Sequence, residues 1–240
     1  MSDVQNPPRE QLRLANVHAF YGESHILHGV DMTVNRGELV TLLGRNGAGR
    51  STILKSIMGM VGRRSGSICI NGQETVKTAA HQIARLGVGF CPEERGIFAS
   101  LNVEENLMLP PTVATGGMSL EEIFDMFPNL HERRKSQGTR LSGGEQQMLA
   151  MARILRTGAN LLLLDEITEG LAPVIVERLG EVLVALKRRG ITIVLVEQNF
   201  RFAAPLADRH YLIEHGQVVE HFSAGELDGK RDQLNAMLGV

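Results

Sequence analysis

The residues from Gly44 to Thr52, Gly-Arg-Asn-Gly-Ala-Gly-Arg-Ser-Thr, carry the densest chemistry in the chain. Gly44, Gly47 and Gly49 let the backbone curl so that successive N–H groups point inward at an anion. A helix opening directly after them adds its positive end. Arg45, Asn46, Ala48 and Thr52 complete the expected phosphate-binding loop. Ser51 is spaced to ligate a Mg²⁺ bridging the outer phosphates of a nucleotide. The strict motif is G-x-x-x-x-G-K-[ST], and Arg50 stands where the lysine belongs. A planar guanidinium does not fit between the β- and γ-phosphates as a compact ammonium does. Nucleotide binding is therefore expected to survive the exchange, and the transition-state geometry to suffer from it.

Two further groups complete the chemistry. Leu161-Leu162-Leu163-Leu164 runs directly into Asp165-Glu166. Ligands of a parallel sheet lie beyond the carboxyl ends of its strands, which places both carboxylates beside the loop. Asp165 is expected to hold the Mg²⁺ shell through water, and Glu166 to polarise the attacking water as general base. Leu141-Ser142-Gly143-Gly144-Glu145-Gln146-Gln147 offers a second anion site. There Ser142 caps a helix and two glycines leave N–H groups bare. Tyr21, ahead of Gly22, is the best candidate for an aromatic plate under an adenine ring, in a chain with two tyrosines and no tryptophan.

The elements that must hold these groups follow from periodicity. Leu39–Leu43 reads as a buried strand and Ile53–Met58 as a helix with apolar residues at helical spacing. Leu12–Leu14 and Val30–Val34 alternate as strands, residues before Gln11 read as a frayed leader, and Ile68–Ile70 turns at Asn71-Gly72. A short helix near Ala79–Leu86 precedes the strand Val88–Cys91. From about Arg95 to Gly158 the texture becomes helical. Asn102 with Glu105, and Ser119 with Glu122, are capping-box pairs, and Pro110 and Pro128 are read as helix ends. Met148, Ala152 and Leu155 share one face of the helix opened by Ser142. The sheet resumes at Leu161. A helix from Pro173 carries Ile175, Leu179, Val182, Leu183 and Leu186 on one side and ends at Lys187-Arg188-Arg189-Gly190. Ile191–Val196 is a strand, and Tyr211–Ile213 with Gln217–Val219 a late hairpin.

Composition bounds what such a chain can be. Its 240 residues suit one α/β domain with an insert, and 43% hydrophobic residues suffice for a core. A formal net charge of −2 lacks the basic excess that non-specific nucleic-acid binding requires. Cys69 and Cys91 are far apart and read as reduced, buried thiols. No run approaches the ~20 apolar residues of a membrane span, and the N-terminus lacks the charge and apolar pattern of a signal peptide. A cytoplasmic chain that reaches the membrane through partners is the expectation.

The seven residues Leu141–Gln147, with the loop and the Asp-Glu pair in their expected order, are similar to the signature of ABC ATPases. The resemblance covers about Leu12 to Leu227. It implies an α/β P-loop NTPase with a mixed sheet core, an N-terminal antiparallel β subdomain and a helical subdomain inserted at about 95–158. The cassette itself would span 11–240. It also implies ATP and Mg²⁺ as ligands and a head-to-tail pair, homodimeric or with a paralogous ATP-binding subunit. In such a pair Leu141–Glu145 of one copy closes over the nucleotide of the other, and Glu169-Gly170-Leu171-Ala172 faces the partner.

The chain departs from the family at two more positions. Glu93, in Cys91-Pro92-Glu93-Glu94-Arg95, replaces the usual glutamine and can offer Mg²⁺ an oxygen. Gln198, in Val196-Glu197-Gln198-Asn199, replaces the switch histidine; it can bond a γ-phosphate but carries no titrating proton. These two positions, with Ile97–Leu107 and Glu166–Pro173, resemble the ATP-binding subunits of branched-chain amino acid importers. Transmembrane permease subunits and, indirectly, an extracytoplasmic solute-binding protein are the implied partners, with the chain peripheral on the inner membrane face. Importers of urea and short amides share much of this pattern. A regulatory subunit with weak hydrolysis, because of Arg50, is a further alternative. A soluble ABC protein acting on nucleic acid or ribosomes would need two such domains or a coiled-coil insert, and the chain has neither.

Overall fold

The computed structural model describes residues 10–227 together with Gly229, Lys230 and Leu234. The leader expected before Gln11 lies outside the described residues, except for Glu10, which instead begins strand β1 (Glu10–Tyr21) opposite Asn35. β1 pairs antiparallel with β2 (Ser24–Asn35) on one side and β4 (Arg63–Ile70) on the other. Both long strands overrun the short ones read from the sequence. Asn16 sits at φ 50, and the register shifts between Leu14 and Val17. That bulge breaks the period-two pattern which would have joined the two halves of β1. The Asn71-Gly72 turn, both residues at positive φ, leads into the two-residue strand β5 (Gln73–Glu74).

β3 (Leu39–Leu43), with helix α1 (Arg50–Ile57) after its loop, is central to the second sheet. α2 (Ala80–Ala84) leads to β6 (Val88–Cys91). Later come β7 (Leu161–Asp165), α7 (Pro173–Arg188), β8 (Thr192–Val196), the short α8 (Phe200–Ala203), β9 (Arg209–Glu214) and β10 (Gln217–Ser223). The sheet order is β10-β9-β3-β8-β7-β6, parallel throughout except for β10. β3, β7 and β8 are buried at every position, which explains their unbroken apolar runs. In β7 the alternation is still present: Leu162 and Leu164 enter the core beneath the helices. Leu161 and Leu163 enter the core shared with β1, β2 and α1.

Between β6 and β7 the chain forms α3 (Val103–Met108), α4 (Leu120–Met126), α5 (Pro128–Glu132) and α6 (Gly143–Arg156). Capping boxes at Asn102/Glu105, Ser119/Glu122 and Ser142/Glu145 are all formed. Pro128 does not simply close a helix. α4 stops at Met126, and Pro128 takes the first position of α5, where its missing N–H costs nothing. No helix among the described residues is long and apolar enough to cross a membrane.

Candidate nucleotide site

The loop between β3 and α1 is held open by its glycines. Gly44, Gly47 and Gly49 have φ of 156, 79 and 103. A Cβ on Gly44 would lie 2.3 Å from the Ile213 carbonyl oxygen, whereas one on Gly47 would meet nothing within 4 Å. Gly44 is thus fixed by its neighbour strand, and Gly47 opens to space. Gly49 caps α1 with no side-chain hydrogen bond, and the first turn holds no acidic residue. The N–H groups at that helix end are left for an anion.

A cleft of about 440 Å³ opens above this loop, lined by Asn46–Thr52 with Tyr21, Ile26, Glu93, Glu166, Glu169 and Gln198. Tyr21 is 46% exposed at its rim. Gly44 and Arg45 instead line a neighbouring cavity of about 360 Å³, shared with Asn46–Ala48 and Leu212–His215. The loop's two ends therefore face different spaces.

Arg50 is buried among three acceptors. Its Nη2 donates to Glu166 Oε1 at 2.8 Å and to Asn46 Oδ1 at 3.2 Å, and Nη1 donates to the Glu197 carbonyl at 3.0 Å. Burial pulls its pKa down, and Glu166, Asp165 and Glu197 oppose that pull. Glu166 sits at φ 48, an uncommon conformation for a side chain of this kind, fixed by its N–H bond to the Val196 carbonyl. Its second oxygen accepts from Gln198 Nε2 at 2.7 Å.

Asp165 Oδ1 accepts from Ser51 Oγ at 2.9 Å. Burial pushes the Asp165 carboxyl up to about 6, opposed by the Ser51 bond and reinforced by Glu166. Oxygen ligands from Glu93, Glu166 and Glu169 lie within 4.8 Å of one another. Burial, then the charges of Glu166 and Glu93, raise the pKa of Glu169. Crowded carboxylates beside a Ser–Asp pair are an all-oxygen donor set, which suits a hard cation such as Mg²⁺.

Glu197 is the residue that motif reading left without a role. It is 3% exposed, and its two oxygens accept from Thr168 N at 3.0 Å and Thr168 Oγ1 at 2.8 Å. Burial pushes it up to about 7 against those bonds. It ties the loop after β7 to the loop after β8, and its backbone anchors Arg50. The available signal was an acidic residue directly after a β-branched run, which points to a buried carboxylate in need of donors.

The turn Leu141–Glu145 is not in this cleft, whose lining includes none of its residues. Ser142 Oγ accepts from Glu145 N at 3.3 Å, and Glu145 Oε2 accepts from Ser142 N at 2.7 Å. A Cβ on Gly144 would come within 3.0 Å of Ile175 on α7, and one on Gly143 within 3.2 Å of the Arg95 guanidinium. Both glycines thus serve close packing, and Gly144 is buried.

The fold and the loop define a nucleotide-binding α/β protein of the phosphate-loop class. A family model described as ABC transporter matches residues 27–169, and the chain belongs to that family. It is 40% identical to the high-affinity branched-chain amino acid transport ATP-binding protein BraG of Pseudomonas aeruginosa, over 95% of this chain and 99% of that one. It is 38% identical to the probable branched-chain amino acid transport ATP-binding protein LivF of Archaeoglobus fulgidus, over 90% and 93%. The solved dimeric ATP-binding cassette MJ0796, in a post-hydrolysis state bound to ADP and Pi, superposes with a TM-score of 0.79 at 26% identity. That match covers 89% of this chain and 98% of the cassette.

Proposed function

We propose that this chain is the ATP-binding and hydrolysing subunit of an ABC importer for branched-chain amino acids. The observation that carries the reading is end-to-end similarity, at 40% identity, to a relative named for that transport. The cleft agrees with it chemically. The loop N–H groups from Asn46 to Thr52, which line the cleft, hold the phosphates, and Tyr21 stacks on the adenine. Ser51, Asp165 and Glu93 hold Mg²⁺, which when bound neutralises charge developing on the outer phosphates. Glu166 accepts a proton from water as its oxygen attacks the γ-phosphorus. The bond from that phosphorus to the β–γ bridging oxygen breaks, and ADP leaves with the electron pair. Gln198 orients Glu166 and reaches the γ-phosphate.

The separation of Leu141–Glu145 from the cleft supports a head-to-tail pair, in which that turn closes on the partner's nucleotide and Glu169–Ala172 meets the partner. The run of helices between β6 and β7 supports a helical subdomain at about 95–158 in a cassette of 11–240. Permease subunits would carry the chain at the inner membrane face, with a solute-binding protein acting through them. Uptake tests the reading. Cells lacking the chain should lose most transport of labelled leucine, isoleucine and valine, and the intact chain, but not Glu166→Gln, should restore it. Unchanged uptake of all three would assign the chain to another solute.

A further inference from the structure

The proposed function leaves Arg50 and Glu166 in conflict. A guanidinium meant for phosphate and a carboxylate meant for water are bonded to each other at 2.8 Å, at 4% and 10% side-chain exposure. Nη2 has only two hydrogens, and both are engaged, on Glu166 and on Asn46. Nη1 is tethered to the Glu197 carbonyl. The other Glu166 oxygen is held by Gln198. Guanidinium and base thus satisfy one another within the cleft, and Gln198 holds what is left of the base.

We propose that Arg50 is a positioning residue for Glu166, withholding the base until a terminal phosphate takes the guanidinium from it. The proposal rests on the reading of Glu166 as general base. Breaking a buried pair with nothing in exchange is strongly unfavourable, because it leaves a charge uncompensated. An incoming γ-phosphate removes that cost: its anionic oxygens replace the carboxylate on Nη2, and Glu166 is freed toward solvent. A diphosphate lacks the third phosphoryl group and leaves the pair closed. A lysine cannot do the same, since one compact ammonium cannot span Glu197, Asn46 and Glu166 in one plane. The exchange of lysine for arginine thus links release of the base to the presence of the phosphate to be cleaved.

Titration of the full chain with a Mg²⁺-loaded non-hydrolysable triphosphate analogue, and separately with MgADP, tests this. Glu166→Gln should tighten the analogue at least ten-fold, or about 1.4 kcal/mol, and MgADP less than two-fold. In an Arg50→Lys background the same change should tighten the analogue less than three-fold. Glu166→Asp keeps the charge but shortens the reach to Nη2. Tightening by that variant too separates a broken pair from lost phosphate repulsion. In turnover, saturating MgATP already opens the pair, so Arg50→Lys should lower KM for MgATP while changing kcat less than three-fold, whereas a merely structural arginine would lower kcat and Tm together. Equal tightening in both backgrounds, or for both nucleotides, overturns the proposal while leaving the nucleotide site in place. Absence of binding by either nucleotide overturns the site as well.

Discussion

The cleft and the signature turn are both candidate anion sites, yet they are held in opposite ways. The cleft is built from long-range partners: Arg50 reaches Glu166 across 116 positions, and Thr168 reaches Glu197 across 29. Arg50, Asp165 and Glu197 are buried and Glu166 half-buried, and they constrain one another, while Glu93 and Glu169 stand exposed at the rim. The turn is satisfied within three residues by its own capping box, and Ser142 stays exposed. A site whose charges are paired internally needs a ligand to rearrange it. A site whose donors are ordered locally can be presented, already formed, to another molecule.

The largest effect should come from breaking the cleft side. Glu166→Gln removes the proton acceptor and the ion pair with Arg50, but keeps the side-chain volume and a group that can bond Gln198. A general base contributes about 10²–10⁴-fold, so hydrolysis should fall by that factor. The cleft should still bind MgATP, and gel filtration with the paired subunit present should show a nucleotide-bound dimer. Turnover within ten-fold of the parent would remove Glu166 from the role.

The same contrast sets what was legible in the sequence. Most of what is local could be read: the strand–loop–helix around Gly44–Thr52, two capping boxes and the Ser142 cap, the amphipathic faces of α6 and α7, and the carboxylates after β7. Pairings between distant segments could not. Nothing near Arg50 announces that Glu166 is its partner, and nothing near Glu197 announces Thr168, because charge complementarity has many solutions until the chain is folded. Two local misreadings have local causes. Pro128 suits the first turn of a helix as well as an end, and the bulge at Asn16 hides one strand as two fragments.

Acid should sharpen the comparison, since the sheet under the cleft contains a group that opposes protonation. His210 on β9 is fully buried, shares a 2.6 Å bond with Thr41 Oγ1 through Nδ1, and leaves Nε2 without a partner. Burial pushes it down to about 4 from 6.5. Its folded pKa lies below the unfolded one, so protons bind the unfolded chain more readily, and stability falls as pH drops through 6.5 toward 4. Asp165 and Glu197 are shifted upward and act in the opposite sense over part of this range, gaining stability as they protonate. Comparison with His210→Leu cancels their contribution. The parent should lose about 2 kcal/mol more than the variant between pH 7 and pH 5, read from urea midpoints. Parallel pH profiles would show that the ring is protonated in the fold or solvated.

The smallest effect should come from the turn, and it should appear in different measurements. Ser142→Ala deletes the acceptor for the Glu145 N–H at the start of α6, a loss of about 1 kcal/mol typical of a cap. MgATP affinity of the isolated chain should change less than two-fold, because no residue from Leu141 to Glu145 lines its own cleft. Dimer formation by the Glu166→Gln chain should weaken, because in the proposed head-to-tail pair the hydroxyl would meet the partner's nucleotide. Ser142→Asp separates the two duties. It keeps an acceptor for the cap, so the urea midpoint should stay near that of the parent. It also sets a negative charge against the partner's phosphates, so the nucleotide-bound dimer should be lost. If Ser142→Asp forms that dimer as well as the parent does, the turn is only a capped helix start.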